Sequence, residues 1–232
     1  MEHDRSTMKI GTDAVLLAAL TETNGAQSIL DIGCGCGVIG FCLAQLLCHS
    51  IPNPVIYGVD ADADSILEAR QNAKTYRLLP CENFHFIHSR IQDFALLDNV
   101  PKFDLIVSNP PFFNNDLKPI ESSKIKSKHR DWQLPFDDLI KSVVALLNPA
   151  GRFSIILPTS ESQEFHERAA SNLHCCQRIH VRPTVKKPVH RVVQEYVLSE
   201  VGTIRERHLT IRDERNEYTE DYRLLVKPYL LS

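Results

Sequence analysis

Residues 108–113 read Ser-Asn-Pro-Pro-Phe-Phe. Pro110 and Pro111 remove two backbone donors and fix φ, so the Pro110 carbonyl is held in one place. The Asn109 side chain offers a second acceptor oxygen, and Phe112 offers a flat apolar face. The set suits an exocyclic amine on an aromatic ring. Such an amine is a weak nucleophile, because its lone pair is delocalised into the ring. Two acceptors that take its hydrogens favour the pyramidal form and strengthen as the transition state develops. A ring stacked on the base adds about 1–3 kcal/mol. This chemistry requires no metal and no covalent nucleophile. The alternative is a strand-ending turn with two core phenylalanines.

A second constellation, Asp31-Ile-Gly33-Cys-Gly35-Cys-Gly37-Val-Ile-Gly40, has two readings. Gly35, Gly37 and Gly40 form GxGxxG, which in a dinucleotide site faces a pyrophosphate toward a helix amino terminus. The longer form, Asp-x-Gly-x-Gly-x-Gly, is the one used by S-adenosylmethionine-dependent methyltransferases. That cofactor carries no phosphate; it has a sulfonium and an amino-acid tail. Asp31 complements a positive charge and is badly placed against a pyrophosphate. Glycines let the backbone approach the ligand closely. Asp60 holds ribose hydroxyls under either reading. Asp93, in Ile-Gln-Asp-Phe, either accepts a bond from an adenine amino group or caps a helix before Phe94. A zinc site at Cys34 and Cys36 lacks a second ligand pair, so no metal is expected.

These residues need a frame. Apolar runs at 28–32, 54–60, 84–88, 103–109 and 151–158 read as strands. Helical spacing occupies 37–49, 63–76, 135–147 and 161–173, and Asn148, Pro149 and Gly151 stop the third of these helices. Residues 177–183 and 190–199 read as two antiparallel strands. The expected fold is α/β, a doubly wound, mostly parallel, seven-stranded sheet ending in an antiparallel hairpin, as one domain over 1–232. Ligands of such sheets bind beyond the carboxyl ends of the strands. The glycine loop, Asp60 and Asn109 all fall at that edge.

The net charge of −3 gives no general attraction for nucleic acid, so an RNA partner has to meet a local basic patch. One candidate is the run from Lys118 through Lys124, Lys126, Lys128, His129 and Arg130 to Trp132. Another is Arg178, Arg182, Lys186, Lys187, His190 and Arg191. Each is an RNA contact or a solvated loop. Seven cysteines without a CxxC pair, a polar amino terminus and no apolar run long enough to cross a bilayer point to a reduced, cytoplasmic protein.

The two motifs together resemble methyltransferases of exocyclic amines and amides, which carry (Asp/Asn)-Pro-Pro-(Tyr/Phe). The stretch 3–20, with Lys9, Gly11, Thr12 and Asp13, is similar to the opening of the bacterial tRNA1(Val) adenine-N6 methyltransferases. Residues 127–140 and 186–198 resemble later segments of the same family, so the likeness spans roughly 3–225. It implies a Rossmann-like class I methyltransferase that takes S-adenosylmethionine and tRNA, acting on adenosine-37 beside the anticodon. It implies catalytic roles for Asn109, Pro110, Pro111 and Phe112. Lys9, Gly11, Thr12, Asp31, Gly33, Gly35, Gly37, Asp60, Asp93 and Asn109 would contact the cofactor. Lys124, Lys126, Lys128, Arg130, Lys186, Lys187 and Arg191 would contact RNA. A monomer or weak dimer is expected, with no membrane partner. Cys34 and Cys36 are less common at their positions, and the leader of many relatives is expected to be short or absent. Thr12-Asp13 also reads as a helix cap before Ala14. The alternatives are a release-factor glutamine N5-methyltransferase, a nicotinamide-dependent oxidoreductase and an idle RNA-binding module.

Overall fold

Strands covered on both faces must be apolar on both, and the interior runs 28–32 and 103–108 meet that demand, whereas 84–88, at the sheet edge, alternates. The computed structural model describes residues 11–111 and 134–229. Phe112, Lys9, Lys124, Lys126, Lys128 and Arg130 lie outside the described residues, as does Trp132. The chain runs α1 (Thr12–Leu20), β1 (Ser28–Ile32), α2 (Val38–Leu47), β2 (Val55–Asp60), α3 (Ala63–Thr75), β3 (Phe84–His88) and α4 (Ile91–Phe94). It continues through β4 (Phe103–Ser108), α5 (Phe136–Leu146), β5 (Leu147–Pro158), α6 (Thr159–Ala169), β6 (His174–Thr184), β7 (Arg191–Val197), β8 (Arg205–Arg212) and α7 (Glu220–Val226).

The strands form one sheet in the order β3-β2-β1-β4-β5-β7-β6-β8. The first five are parallel; β7 runs antiparallel to β5 and to β6, and β8 lies parallel to β6. The mostly parallel sheet and its antiparallel hairpin are as expected, with one strand more. Residues 205–212 give little apolar signal because β8 is an edge strand. Only its Leu209 is buried. Strand β5 also starts four residues early, directly after α5, with an irregular register against β4. There the Asn148 amide donates to the Asp104 carboxylate at 2.7 Å.

Alternation along the strands sorts the core into two layers. Ile29, Ile56, Leu105, Ile156, Val181 and Val193 face α1, α2, α3 and α7. Leu30, Val59, Ile106, Phe153, Ile155 and Tyr196 face α4, α5 and α6. At the centre of the second layer Phe165 of α6 is fully buried, with its ring 5.2 Å from Phe136, 5.9 Å from Phe153 and 5.5 Å from Tyr196. Phe165→Ala leaves a cavity that three rings have to fill. It should lower stability by about 3–5 kcal/mol in urea unfolding, with far-ultraviolet circular dichroism of the folded state unchanged.

Candidate active site

The register of β1 and β4 sets the site. Ile32 pairs with Ser108, and the Ser108 hydroxyl donates to the Ile32 carbonyl at 3.0 Å. One residue further along each strand stand Gly33 and Asn109. The glycine loop and the amide therefore leave the sheet side by side, about 4.8 Å apart by strand spacing. On the other side of β1, the Gly33 amide donates to the Val59 carbonyl at 2.8 Å, which brings the end of β2 to the same rim.

Three glycines make the turn into α2. Gly33, Gly35 and Gly37 have φ of 71°, 54° and 88°, a region that side chains with a Cβ seldom enter. At Gly37 an added Cβ would also meet Phe41 at 2.7 Å and Phe86 at 2.9 Å. At Gly33 it would meet nothing within 4 Å, so the backbone there borders open space. Below the loop, the Asn72 side chain donates to the Cys36 carbonyl at 3.1 Å and ties it to α3.

The acids at this rim differ in how they are satisfied. Asp60 accepts the Gly35 amide on one oxygen and the Asp62 amide on the other, both at 2.8 Å, and burial raises its carboxyl above the ordinary range. Asp31 is fully buried, and neither oxygen has a hydrogen-bond partner among the described residues. Burial pushes its carboxyl up to about 7. The Gly40 amide, outside hydrogen-bonding geometry, opposes that rise, and the Asp60 charge adds to it. The Asn109 side-chain oxygen is likewise buried without a partner among the described residues. Pro110 is buried and Pro111 is exposed.

The other expected residues scatter. Gly11 is the cap of α1, and no side chain bonds the helix start there, so the expected capping by Thr12 and Asp13 fails. Asp13 instead accepts the Arg191 Nε–H at 2.8 Å, both side chains being largely covered. Asp93 lies inside α4, whose cap is Arg90, so the capping reading fails here too; its side chain is exposed near the end of β3. Lys186 and Lys187 are exposed in the β6–β7 turn. Ser108 and the backbone bonds of Asp60 were missed, because a serine before the motif and an acid at a strand end have many uses. Among the described residues no three His, Cys, Asp or Glu side chains are grouped to hold a metal ion, and no helix is long and apolar enough to cross a membrane.

Comparison with known proteins narrows the chemistry. A family model described as a methyltransferase domain matches residues 23–204. A tRNA1(Val) (adenine(37)-N6)-methyltransferase from Trichodesmium erythraeum is 34% identical over 235 residues, covering 100% of this chain and 94% of that one. The protein of the same name from Pedobacter heparinus is 36% identical over 229 residues, covering 97% and 92%. The chain belongs to the tRNA1(Val) (adenine(37)-N6)-methyltransferase family. The same fold occurs in the crystal structure of a protein described as a predicted O-methyltransferase from Agrobacterium tumefaciens. Its TM-score is 0.65 at 14% identity, over 95% of this chain and 98% of that one. In this family member the residues fit the methyl donor of such folds: an open glycine backbone, a buried unpartnered carboxyl and a second acid with lone pairs to spare share one rim.

A raised carboxyl has a defined consequence for stability. The folded state holds a proton on Asp31 that the unfolded chain releases near 3.8. That contribution is complete below about 3.8 and is lost progressively as pH rises from there to about 7, about 4 kcal/mol in all. Glu195, buried on β7 and also raised to about 7 by that burial, acts in the same direction. Urea unfolding without ligand should show stability falling between about pH 4 and pH 7 and levelling off above that. The fall should be clearly smaller in Asp31→Asn, and an equal fall in both proteins would refute the assignment.

Proposed function

We propose that this protein transfers a methyl group from S-adenosylmethionine to the N6 amine of adenosine-37 in tRNA1(Val). The observation that carries the reading is the buried, unpartnered Asn109 oxygen beside the open backbone of Gly33. S-adenosylmethionine supplies, when bound, a methyl group on a positively charged sulfur. The chain's own residues bind and orient. Asp60 has lone pairs left for ribose hydroxyls after its two backbone bonds, and the glycine turn admits the ligand against the main chain. In this reading Asp31 balances positive charge, and a cation beside it draws its carboxyl toward the ionised form.

At the acceptor, the Asn109 oxygen and the Pro110 carbonyl take the two amine hydrogens and so aim the nitrogen lone pair. Ser108 fixes the strand that carries both. The stack against the base is assigned to Phe112. Cofactor contacts by Lys9, Gly11, Thr12 and Asp93, and RNA contacts by Lys124, Lys126, Lys128 and Arg130, belong to the same proposal. The enzyme would act in the cytoplasm, where its substrate is made, as a monomer or weak dimer.

Asn109→Ala should reduce kcat about 10²–10³-fold, with equilibrium binding of S-adenosylmethionine within about twofold of the parent. The assay uses radiolabelled donor and tRNA from a strain lacking the modification, followed by mapping of the labelled nucleoside. Undiminished transfer by Asn109→Ala would sink the amine clamp. Label in protein would redirect the acceptor to a glutamine amide.

A further inference from the structure

The basic residues of this chain divide into those already answered by a carboxylate and those that are not. Arg178 shares Glu206 with His180, at 3.5 and 2.7 Å. Arg191 is spent on Asp13, and Arg152 and Arg205 on Glu22, with Glu195 also beside Arg152. Arg182, Lys186, Lys187 and Arg212 have no carboxylate within ion-pair distance among the described residues.

These four lie together. Strand β6 carries Arg182 and ends at Thr184, whose register partner on β8 is Arg212; Lys186 and Lys187 form the turn that follows. Arg182 donates its Nε–H to the Thr210 hydroxyl at 2.7 Å, which fixes the side chain, and its terminal nitrogens have no hydrogen-bond partner among the described residues. Arg212 sits 4.1 Å over the Tyr218 ring and donates to the Asn216 carbonyl at 2.8 Å. Both guanidiniums are therefore held by neutral partners that leave the charge intact. Of the nearby acids, Glu214 is exposed in the turn after β8 and makes no ion pair with these four among the described residues, and the others are engaged or distant. Asp213 accepts the amides of Arg215 and Glu217, Glu217 pairs with Arg223 at 3.7 Å, and Glu206 lies at the far end of β8.

Strands β6 and β8 run in the same direction as β4, so this basic group and Asn109 share one rim of the sheet. From β4 the path crosses β5 and β7 to β6 and then β8. At about 4.8 Å per strand that is roughly 14–19 Å across the sheet, and the register sets Arg182 three residues and Arg212 five residues further along than Asn109, so the separation is roughly 17–25 Å. The distance is too long to reach the target base and suits the backbone on either side of it. Alternation matters as well: Arg182 and Arg212 stand on the face opposite Val181, whereas Arg191, paired in register with Val181, turns toward α1.

Resting on the methyltransferase reading above, we propose that Arg182, Lys186, Lys187 and Arg212 form a phosphate-binding rim that takes the RNA backbone flanking the methylated nucleotide. Arg191 is excluded from it. Cations fixed by neutral partners bind phosphate without first breaking an ion pair, and each phosphate they neutralise releases condensed counterions.

The test uses the full chain and an unmodified tRNA1(Val) transcript. Two variants are compared with the parent: Lys186→Gln/Lys187→Gln, confined to an exposed turn, and the same pair with Arg182→Gln and Arg212→Gln. Affinity is measured by fluorescence anisotropy across a sodium chloride series, with S-adenosylmethionine binding by calorimetry as the check on folding. The slope of log affinity against log salt should fall by about 0.7–0.9 for each phosphate that is no longer neutralised. KM for the transcript should rise about tenfold or more in the quadruple variant. The donor affinity, and kcat at saturating RNA, should stay within about twofold. An unchanged salt slope with intact donor binding would overturn the rim. If the turn variant alone keeps the parental slope, the rim is reduced to the two arginines and the four-residue proposal is refuted. Failure of the parent to label tRNA would count against the enzymatic reading and leave the salt series to decide the rim by itself.

Discussion

One pairing governs the geometry of this protein: Ile32 on β1 against Ser108 on β4. A parallel ladder has a fixed register, and a slip of one residue would turn every side chain of β4 to the other face. Both strands are buried on both sides, so such a slip would exchange Leu105 and Val107 for Ile106 and Ser108 in two different cores. The Ser108 hydroxyl on the Ile32 carbonyl adds a polar bond to that constraint, in a place where a lone hydroxyl would be costly. From this follows the proximity of Gly33 and Asn109, and from that proximity the possibility of bringing a donor and an acceptor amine together. Most of the barrier such an enzyme removes is positional, and here position is inherited from the sheet.

The same rim departs from the rule that buried polar atoms find partners. Asp60 obeys it, with an amide on each oxygen. Among the described residues, Asp31 and the Asn109 oxygen do not. Each unmet group costs about 1–3 kcal/mol, and more for a charge, which is why the Asp31 carboxyl rises to about 7. A fold stabilised elsewhere by two aliphatic and aromatic layers tolerates that cost. The unmet groups coincide with positive-φ glycines and an open backbone edge, and buried polar atoms left unmet together at one edge are a mark of a binding site. A turn serving only to reverse the chain would need neither a dry carboxyl nor a bare amide.

Much of the fold was legible in the sequence because the parallel strands carry short apolar runs, near-continuous in the interior and alternating at the β3 edge. Residues 28–32 and 84–88 were bounded to the residue, and 103–109 overshot by one. Strand β8 was not legible. Half of its side chains meet water, and Arg-Glu-Arg-His carries no period that separates an edge strand from a loop. Cap chemistry misled at both places where it was invoked. Asp13 turned to Arg191, a partner 178 residues away, and Asp93 sits past the start of its helix. The chemical residues at 31, 33, 35, 37, 60 and 109 were easier to place than their surroundings, since a strand end and a motif together specify an edge.

The hairpin shows where reading by composition reaches its limit. Arg182, Lys186, Lys187 and Arg191 form a single basic run in the sequence, and nothing in their types separates them. The sheet separates them through the two-residue period of the strand and the turn between them. Arg191, beside Val181, enters the layer of α1 and meets Asp13; Arg182, one residue on from Val181, points to the opposite face and, among the described residues, bonds a hydroxyl and no carboxylate. An arginine already bonded to a carboxylate must give up that bond before it can serve a phosphate, whereas one resting on a hydroxyl or an aromatic ring keeps its charge available. In a chain whose net charge is −3, attraction for a polyanion has to come from this kind of local imbalance. The number of basic residues therefore says less about binding than the number of acids that have already claimed them.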